Sequence, residues 1–243
     1  LGPAATAYWS TLTTVISTGS VNGMHDSTMP LTGLWQLLAM MINAIYGGCG
    51  VGLLNYFIYL IIAVFISGLM VGRTPEFLGH KVEAREIKIA AIITLLSPFL
   101  ILAGTAIASF AFTNHADAAW AVQPKNWLNN PGFHGFSEML YEVTSSNANN
   151  GSGFEGLGDN NVFWNVLTGV IIFLGRFLPI IGPVAIAGLL GAKKFIPESA
   201  GTLKTDTKTF ALMTFAVILV LNALSYFPAL ALGPLAEYFS QLR

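Results

Sequence analysis

The feature that most constrains this chain is an apolar stretch, residues 31–71, that contains no charged side chain. As one straight helix it would be about 60 Å long at about 1.5 Å per residue, twice the roughly 30 Å hydrocarbon core of a bilayer. Four glycines fall within 47–52, and helix backbone that unwinds at membrane depth survives only inside protein or beside a wet cavity. We therefore expect an intramembrane break that acts as a gate or lines a side tunnel, with a simple packing kink as the alternative. The glycines concerned are Gly47, Gly48, Gly50 and Gly52.

The surroundings of the chain follow from its composition. Apolar residues make up 54% of the 243 positions and charged residues only 9%. This is more apolar surface than a water-soluble core can hide, so we expect lipid around the chain.

Cys49 is the single cysteine, which leaves no disulfide framework or thiolate metal site. We expect no transition metal and no nucleic-acid partner. The chain opens on Leu1-Gly2-Pro3 without a basic stretch, so we expect a piece of a longer protein rather than a signal peptide.

The basic residues indicate which loops face the cytoplasm. Eight of the eleven Lys and Arg residues fall in two short segments, 73–88 and 193–208. Cytoplasmic loops of membrane proteins carry such an excess. We therefore expect both segments to be cytoplasmic and the last span, 210–239, to leave the C-terminus outside.

Two short predicted helices, 4–18 and 136–146, cannot cross the bilayer because each is well below the length of about 20 residues that a span needs. Each runs into a polar loop that contains glycine, and each loop is followed by a longer, glycine-interrupted span, 31–71 or 166–192. The span 89–112, with Pro98 inside it, precedes the second short helix. We expect two copies of a membrane-pore-membrane unit in an all-α polytopic membrane protein, the first copy without its outer helix.

These elements predict five parts of the chain. Residues 1–72 are expected to form a pore helix, its loop and a broken inner helix, and residues 89–192 a complete second unit. Residues 209–243 are expected to form the last transmembrane helix. The segments 73–88 and 193–208 are the cytoplasmic loops between them.

The two polar loops have the chemistry that a cation requires. A helix that stops inside the membrane points the negative end of its dipole at the bilayer centre, and carbonyl oxygens of the following loop can replace the water around an ion. Neither loop contains Lys or Arg. Ordinary loop glycines or close helix packing explain the glycines equally well from the residues alone. The candidate residues are Ser17, Thr18, Gly19, Ser20, Asn149, Asn150, Gly151 and Ser152.

Several other polar positions have more than one interpretation. Arg176 lies well inside a predicted span, where an unpaired charge costs several kcal/mol, and it is either half of a structural ion pair or a fixed positive charge near the ion path. His25 and Asp26 either add negative potential at the mouth of the first loop or, as we favour, represent a loop-capping Asp with a bystander His. His134, just before a helix start, is expected to be structural.

Four segments carry a resemblance to a known family: STGSVNGMHDS at 17–27, GRTPEFLG at 72–79, NPGFHGFSE at 130–138 and FPALALGP at 227–234. They resemble the channel-like A subunit of the bacterial Kdp potassium-importing P-type ATPases, and the resemblance runs the whole chain. It implies the C-terminal part of that subunit, with the third and fourth pore repeats of a potassium-channel-superfamily fold, re-entrant pore helices and an extra last helix. Gly19 and Gly151 then match the third and fourth filter glycines, and 47–52 matches the break.

The resemblance also implies a function. It implies the potassium-binding and potassium-translocating subunit of an ATP-driven, high-affinity import complex in the bacterial inner membrane. The separate P-type ATPase subunit of the Kdp complex would bind and hydrolyse ATP, small accessory subunits would complete the complex, and this chain would not be an enzyme by itself. Potassium would be its only bound cofactor, with no organic group.

Two alternatives stay open beside this interpretation. One is a stand-alone potassium or sodium translocating subunit of the same superfamily, driven by membrane potential or symport. The other is a secondary solute transporter, whose broken helices would bind an organic substrate near the bilayer midplane.

Overall fold

A computed structural model describes residues 2–44, 47–114, 126–197 and 203–242, apart from the side chain of Cys49. Leu1 and residues 198–202, the middle of the second predicted cytoplasmic loop, lie outside the described residues. The elements in chain order are α1 Pro3–Val15, α2 Pro30–Ile42, α3 Val51–Val71, β1 Glu76–Phe77, β2 His80–Lys81, α4 Ala84–Asn114, α5 Phe133–Ala148, α6 Val162–Gly191, α7 Lys208–Leu230 and α8 Ala236–Gln241, with short 3-10 turns at His25–Ser27 and Gly48–Gly50.

Among the described residues, four stretches are long and apolar enough to cross a membrane: α3, α4, α6 and the stretch from α7 through α8. Their most apolar windows are only 28% to 33% buried, and large apolar side chains such as Phe99, Phe173 and Leu224 are exposed along them. α1, α2 and α5 have 13, 13 and 16 residues, fewer than the roughly 20 that a span needs. The predicted fold class, an all-α polytopic membrane protein, is confirmed.

The long apolar run is broken, but the break begins earlier than its glycines indicate. α2 ends where Asn43 turns the backbone into the left-handed region, with φ of 30°. Gly47 follows with φ of 95°, a conformation that L side chains rarely adopt. The prediction that Gly52 belongs to the break is wrong, because the backbone is helical again by Val51 and Gly52 lies in the first turn of α3.

The half-length helix α5 is the centre of the packing. Twelve of its sixteen residues are buried. One side of it packs against α2 and against residues 231–235, in a buried cluster that includes Leu37, Leu140 and Tyr226. The other side packs against α4 and α6, in a cluster that includes Val143 and Ile171. The C-terminal end of α5 is therefore fixed among the long helices.

The first basic loop contains a two-stranded ribbon, which the sequence analysis did not predict. Phe77 pairs with His80 across a two-residue turn in which Leu78 and Gly79 both have positive φ, 50° and 75°. Tight hairpins use this turn geometry. The Gly79 carbonyl accepts a hydrogen bond of 2.8 Å from the N–H of Ile196. The two basic loops therefore lie together, which agrees with the expectation that they face the same side.

The predicted last span is interrupted near its end. Ala231–Leu235 forms a π-turn between α7 and α8 and contains Pro234, which has no N–H for the helix ladder. Such wide turns accommodate an irregularity without ending the helix. Gly233 lies against Phe136 and Ser137, where an added Cβ would come within 2.7 Å of Ser137 Oγ. The turn packs the last helix onto α5.

Candidate functional site

The two candidate loops, 17–20 (the first loop) and 149–152 (the second loop), follow the same backbone path. Ser17 and Asn149 have φ of 50° and 53°, and Gly19 and Gly151 have φ of 71° and 94°. Positive and negative φ angles therefore alternate in both loops. Each loop lies directly after the C-terminal end of a half-length helix, α1 or α5.

The bonds that close these two helix ends also match. The N–H of Thr18 donates to the Thr13 carbonyl at 3.1 Å, and the N–H of Asn150 donates to the Ser145 carbonyl at 2.9 Å. Each bond reaches back five residues. The two donors are 132 positions apart (150 minus 18), and so are the two acceptors (145 minus 13). The two loops therefore have the same local backbone structure.

The structure brings the two loops into direct contact. The carbonyl oxygen of Asn150 lies against Gly19, in the space that a Cβ on Gly19 would need. The Asn150 side chain reaches across as well, because its Nδ2 donates a 2.6 Å hydrogen bond to the Thr13 carbonyl at the end of α1. Two stretches that are far apart in the sequence therefore form one site.

The carbonyl oxygens of the loops divide into two groups. The Ser20 carbonyl is occupied, since it accepts hydrogen bonds from Trp9 Nε1 at 2.7 Å and Thr13 Oγ1 at 3.0 Å. Within the described part of the chain, no donor bonds the carbonyl of Thr18, Gly19, Asn150 or Gly151. Thr18 and Gly151 are exposed and border open space, whereas Asn150 is buried and its carbonyl faces Gly19. Such oxygens need water or an ion as a partner.

Arg176 joins the second loop to the break between α2 and α3. Its Nε donates to Asn149 Oδ1 at 3.2 Å and its Nη1 donates to the Gly48 carbonyl at 3.1 Å. Both acceptors are neutral, and among the described residues no carboxylate lies within ion-pair distance of Arg176. The ion-pair interpretation therefore finds no support in this part of the chain.

The break packs beneath the first loop. A Cβ on Gly47 would overlap the backbone of Ile16, and Ser17 Oγ lies 3.4 Å from Asn43 Oδ1. Of the other predicted gate residues, Gly48 contacts Arg176, whereas a Cβ on Gly50 would meet nothing within 4 Å. A cavity of mixed character adjoins the break, and its lining includes the polar residues Asn43, Asn55, Tyr59, Ser97 and Asn147 beside apolar ones such as Met41 and Ile58.

The sequence analysis missed a buried aromatic pair behind the second loop. Tyr141 Oη lies 2.8 Å from His25 Nδ1 and 2.9 Å from Ser152 Oγ. His25 is 1% exposed and stacks on Trp9 at a centroid distance of 4.5 Å, so the prediction that it is a bystander is wrong. Trp9 and Tyr141 are 132 positions apart (141 minus 9), the same offset that relates the two loops. This matching aromatic position was the signal in the sequence that could have pointed to Tyr141.

A charged cluster lies at the other end of α5. His134 Nε2 is 2.8 Å from Asp26 Oδ1, and His134 Nδ1 is 2.9 Å from Glu237 Oε1. Burial opposes the charged form of His134, but its bonds to the two carboxylates outweigh burial and raise its pKa. Asp26, His134 and Glu138 offer ligand atoms within 4.8 Å of one another, a spacing that could hold a metal ion, but carboxylates already occupy both ring nitrogens. The expected structural role of His134 fits this arrangement.

Comparison with known proteins places the chain in a family. The family model described as the A subunit of the potassium-transporting ATPase, KdpA, matches residues 1–239. The potassium-transporting ATPase potassium-binding subunit of Flavobacterium johnsoniae is 71% identical over 98% of this chain and 42% of its own length. The subunits of the same name from Phocaeicola vulgatus and Geobacillus kaustophilus are 67% and 50% identical, over 99% and 98% of this chain and 42% and 41% of their own lengths. The chain spans about two fifths of these relatives, and it belongs to the KdpA family.

Proposed function

We propose that this chain supplies two of the potassium-binding filter loops of an ATP-driven potassium importer. The observation that carries the proposal is the pair of matched loops, which alternate in the sign of φ, touch at Gly19 and Asn150, and leave carbonyl oxygens without a donor among the described residues. We assign the Thr18, Gly19, Asn150 and Gly151 carbonyls as candidate ligands. Ser20 is left out of the ligand set because its carbonyl is already bonded twice.

The physical case for potassium rests on the cost of removing its water. A monovalent cation leaves its hydration shell only when a ring of oxygens replaces it, and backbone carbonyls do so without bringing a full negative charge. The C-terminal ends of α1 and α5 add the negative ends of two helix dipoles behind the loops. A closed ring needs more oxygens than two loops offer, so further loops would come from the remainder of the subunit.

The names of the relatives support the assignment of substrate and complex. They are potassium-binding subunits of a potassium-transporting ATPase, so ATP would be hydrolysed by a P-type partner, with small accessory subunits alongside. In this proposal the chain binds potassium and no organic cofactor, and catalyses no reaction by itself.

The orientation and the gate are part of the same proposal. The two basic loops, which pack together through Gly79 and Ile196, would face the cytoplasm of the inner membrane, and the C-terminus would lie outside. The break at Gly47 and Gly48 adjoins both loops through Ile16 and Arg176. It is therefore suited to pass or block an ion that leaves the filter.

The test uses the whole subunit in its complex and compares Gly151→Ala with Gly169→Ala. Neither added methyl group meets an atom within 4 Å, but Gly151 has φ of 94° and Gly169 lies in the ordinary helix α6. We expect Gly151→Ala to raise the potassium concentration for half-maximal ATPase activity and to admit rubidium, because the loop must rotate. Gly169→Ala should resemble the wild type. If both variants keep wild-type affinity and discrimination, the second loop is not a filter.

A further inference from the structure

A chain of buried hydrogen bonds runs behind the second loop. It begins at His25 Nδ1, passes through Tyr141 Oη and Ser152 Oγ with spacings of 2.8 and 2.9 Å, and ends 2.6 Å further on at Asn150 Oδ1. The four side chains are between 0% and 5% exposed.

The direction of these bonds is fixed by the backbone around Asn150. A backbone N–H can only donate and a backbone carbonyl can only accept. The N–H of Ser152 bonds Asn150 Oδ1 at 3.0 Å, and the Thr13 carbonyl accepts from Asn150 Nδ2 at 2.6 Å. Asn150 Oδ1 is therefore an acceptor, so the Ser152 hydroxyl must donate its single hydrogen to it. The Tyr141 hydroxyl must then donate to Ser152, which leaves His25 as the donor to Tyr141.

His25 can fill this role as a neutral ring. Burial lowers the pKa of His25 to about 4, so the imidazole carries one hydrogen near pH 7. The direction of the chain places that hydrogen on Nδ1. Nε2 is then a bare acceptor, which agrees with its being buried without a hydrogen-bond partner in the described part of the chain.

We propose that His25 and Tyr141 are positioning residues for potassium selection, acting on the filter through Ser152 and Asn150. Asn150 belongs to the second loop and also contacts the first, because its carbonyl lies against Gly19 and its side chain bonds the Thr13 carbonyl at the end of α1. A rotation of its side chain would therefore disturb the contact between the two loops. This inference rests on the proposed potassium function of those loops.

The first test is Tyr141→Phe in the whole subunit within its complex, with Thr144→Val as the matched control. Both changes remove one buried hydroxyl from α5, but among the described residues Thr144 Oγ1 bonds only the Leu140 carbonyl of its own helix. Tyr141→Phe leaves the buried partners of this hydroxyl, His25 and Ser152, unpaired. This change should raise the potassium concentration for half-maximal ATPase activity about tenfold. It should also lower the discrimination of potassium against rubidium. Thr144→Val should leave discrimination unchanged.

The second test asks whether a donor at the Nδ1 position is what matters. Asn can place its Nδ2 hydrogens near the position of a histidine Nδ1, whereas Leu offers only shape. We expect His25→Asn to keep near-wild-type discrimination and His25→Leu to behave like Tyr141→Phe, a difference that packing alone would not produce. If Tyr141→Phe fails to assemble, the comparison of His25→Asn with His25→Leu tests the positioning role on its own.

Two outcomes separate this inference from the function it rests on. If Tyr141→Phe and His25→Leu keep wild-type affinity and discrimination while Gly151→Ala loses both, the positioning role is wrong and the filter stands. If Gly151→Ala is also without effect, the filter assignment is wrong as well.

Discussion

The carbonyl oxygen of Asn150 occupies the space beside Gly19 in which the Cβ of any larger residue would have to lie. The two loops therefore meet backbone to backbone, and the absence of a side chain at position 19 sets their spacing. Glycine is needed at position 19 for two reasons. One is this contact, and the other is its φ of 71°, at which L side chains are strained. Gly151, its counterpart, has the unusual φ but no close neighbour.

This difference predicts unequal effects of the same substitution. Gly19→Ala adds steric overlap, which typically costs about 1–3 kcal/mol, to a backbone strain of about 1–3 kcal/mol, whereas Gly151→Ala adds only the strain. We expect Gly19→Ala to lower the unfolding temperature of the complex further and to weaken potassium-stimulated ATPase activity more. Gly188→Ala, an open helical position of α6, is the control. Equal effects of Gly19→Ala and Gly188→Ala would contradict the contact between the loops.

The sequence predicted most of the fold because its main features are local. Apolar length defines each span, and the glycines at 19, 47 and 151 are placed where the backbone does adopt positive φ. The error at Gly52 has the same origin, since composition reveals a helix breaker but not the residue at which the helix resumes.

The sequence could not predict the contacts that join distant segments. The bond between His25 and Tyr141 spans 116 residues, and the bond from Arg176 to Gly48 spans 128. No local pattern connects such pairs, so the sequence alone predicts a bystander at His25 and leaves two roles open for Arg176. The Leu78-Gly79 turn was missed for another reason, because a two-residue strand has too few side chains to show an alternating pattern.

The shape of the Arg176 side chain, in addition to its charge, holds the second loop against the break. A lysine at this position keeps the charge but presents one compact ammonium group in place of a planar fork, so it cannot bond Asn149 Oδ1 and the Gly48 carbonyl in the same way. We expect Arg176→Lys to weaken potassium-stimulated ATPase activity nearly as much as Arg176→Gln does. Full activity of Arg176→Lys beside an inactive Arg176→Gln would show that the positive charge alone is needed.

The ends of α4 and α6 are joined by a lysine that compensates a buried carboxylate. Lys193 Nζ lies 2.9 Å from Glu86, which is fully buried, and 3.1 Å from the exposed Glu83. Removing one partner of a buried ion pair costs about 3–5 kcal/mol because the other charge is left unpaired. We expect Lys193→Met to lower thermal stability clearly and the double variant Lys193→Met with Glu86→Gln to recover much of the loss.

The neighbouring Lys194 provides the control for this pair. Its side chain is exposed, so Lys194→Met should change the unfolding temperature little. A loss in Lys194→Met as large as that in Lys193→Met would mean that the charge of the loop, and not the bond to Glu86, sets stability.

The bridge from Asp26 through His134 to Glu237 predicts a dependence of stability on pH. The folded state raises the pKa of His134 above its usual value of 6.5, so the folded state holds the proton more tightly than the unfolded chain does. The stabilisation is complete below about pH 6.5 and is lost as the pH rises through the raised pKa. His134→Gln should therefore lower the unfolding temperature of the complex at pH 6, and its curve should converge with that of the wild type at alkaline pH. His80→Gln, in the β1–β2 ribbon, leaves the bridge intact and should keep the wild-type dependence. A constant difference between His134→Gln and the wild type from pH 6 to alkaline pH would contradict the protonated bridge and leave only a packing role.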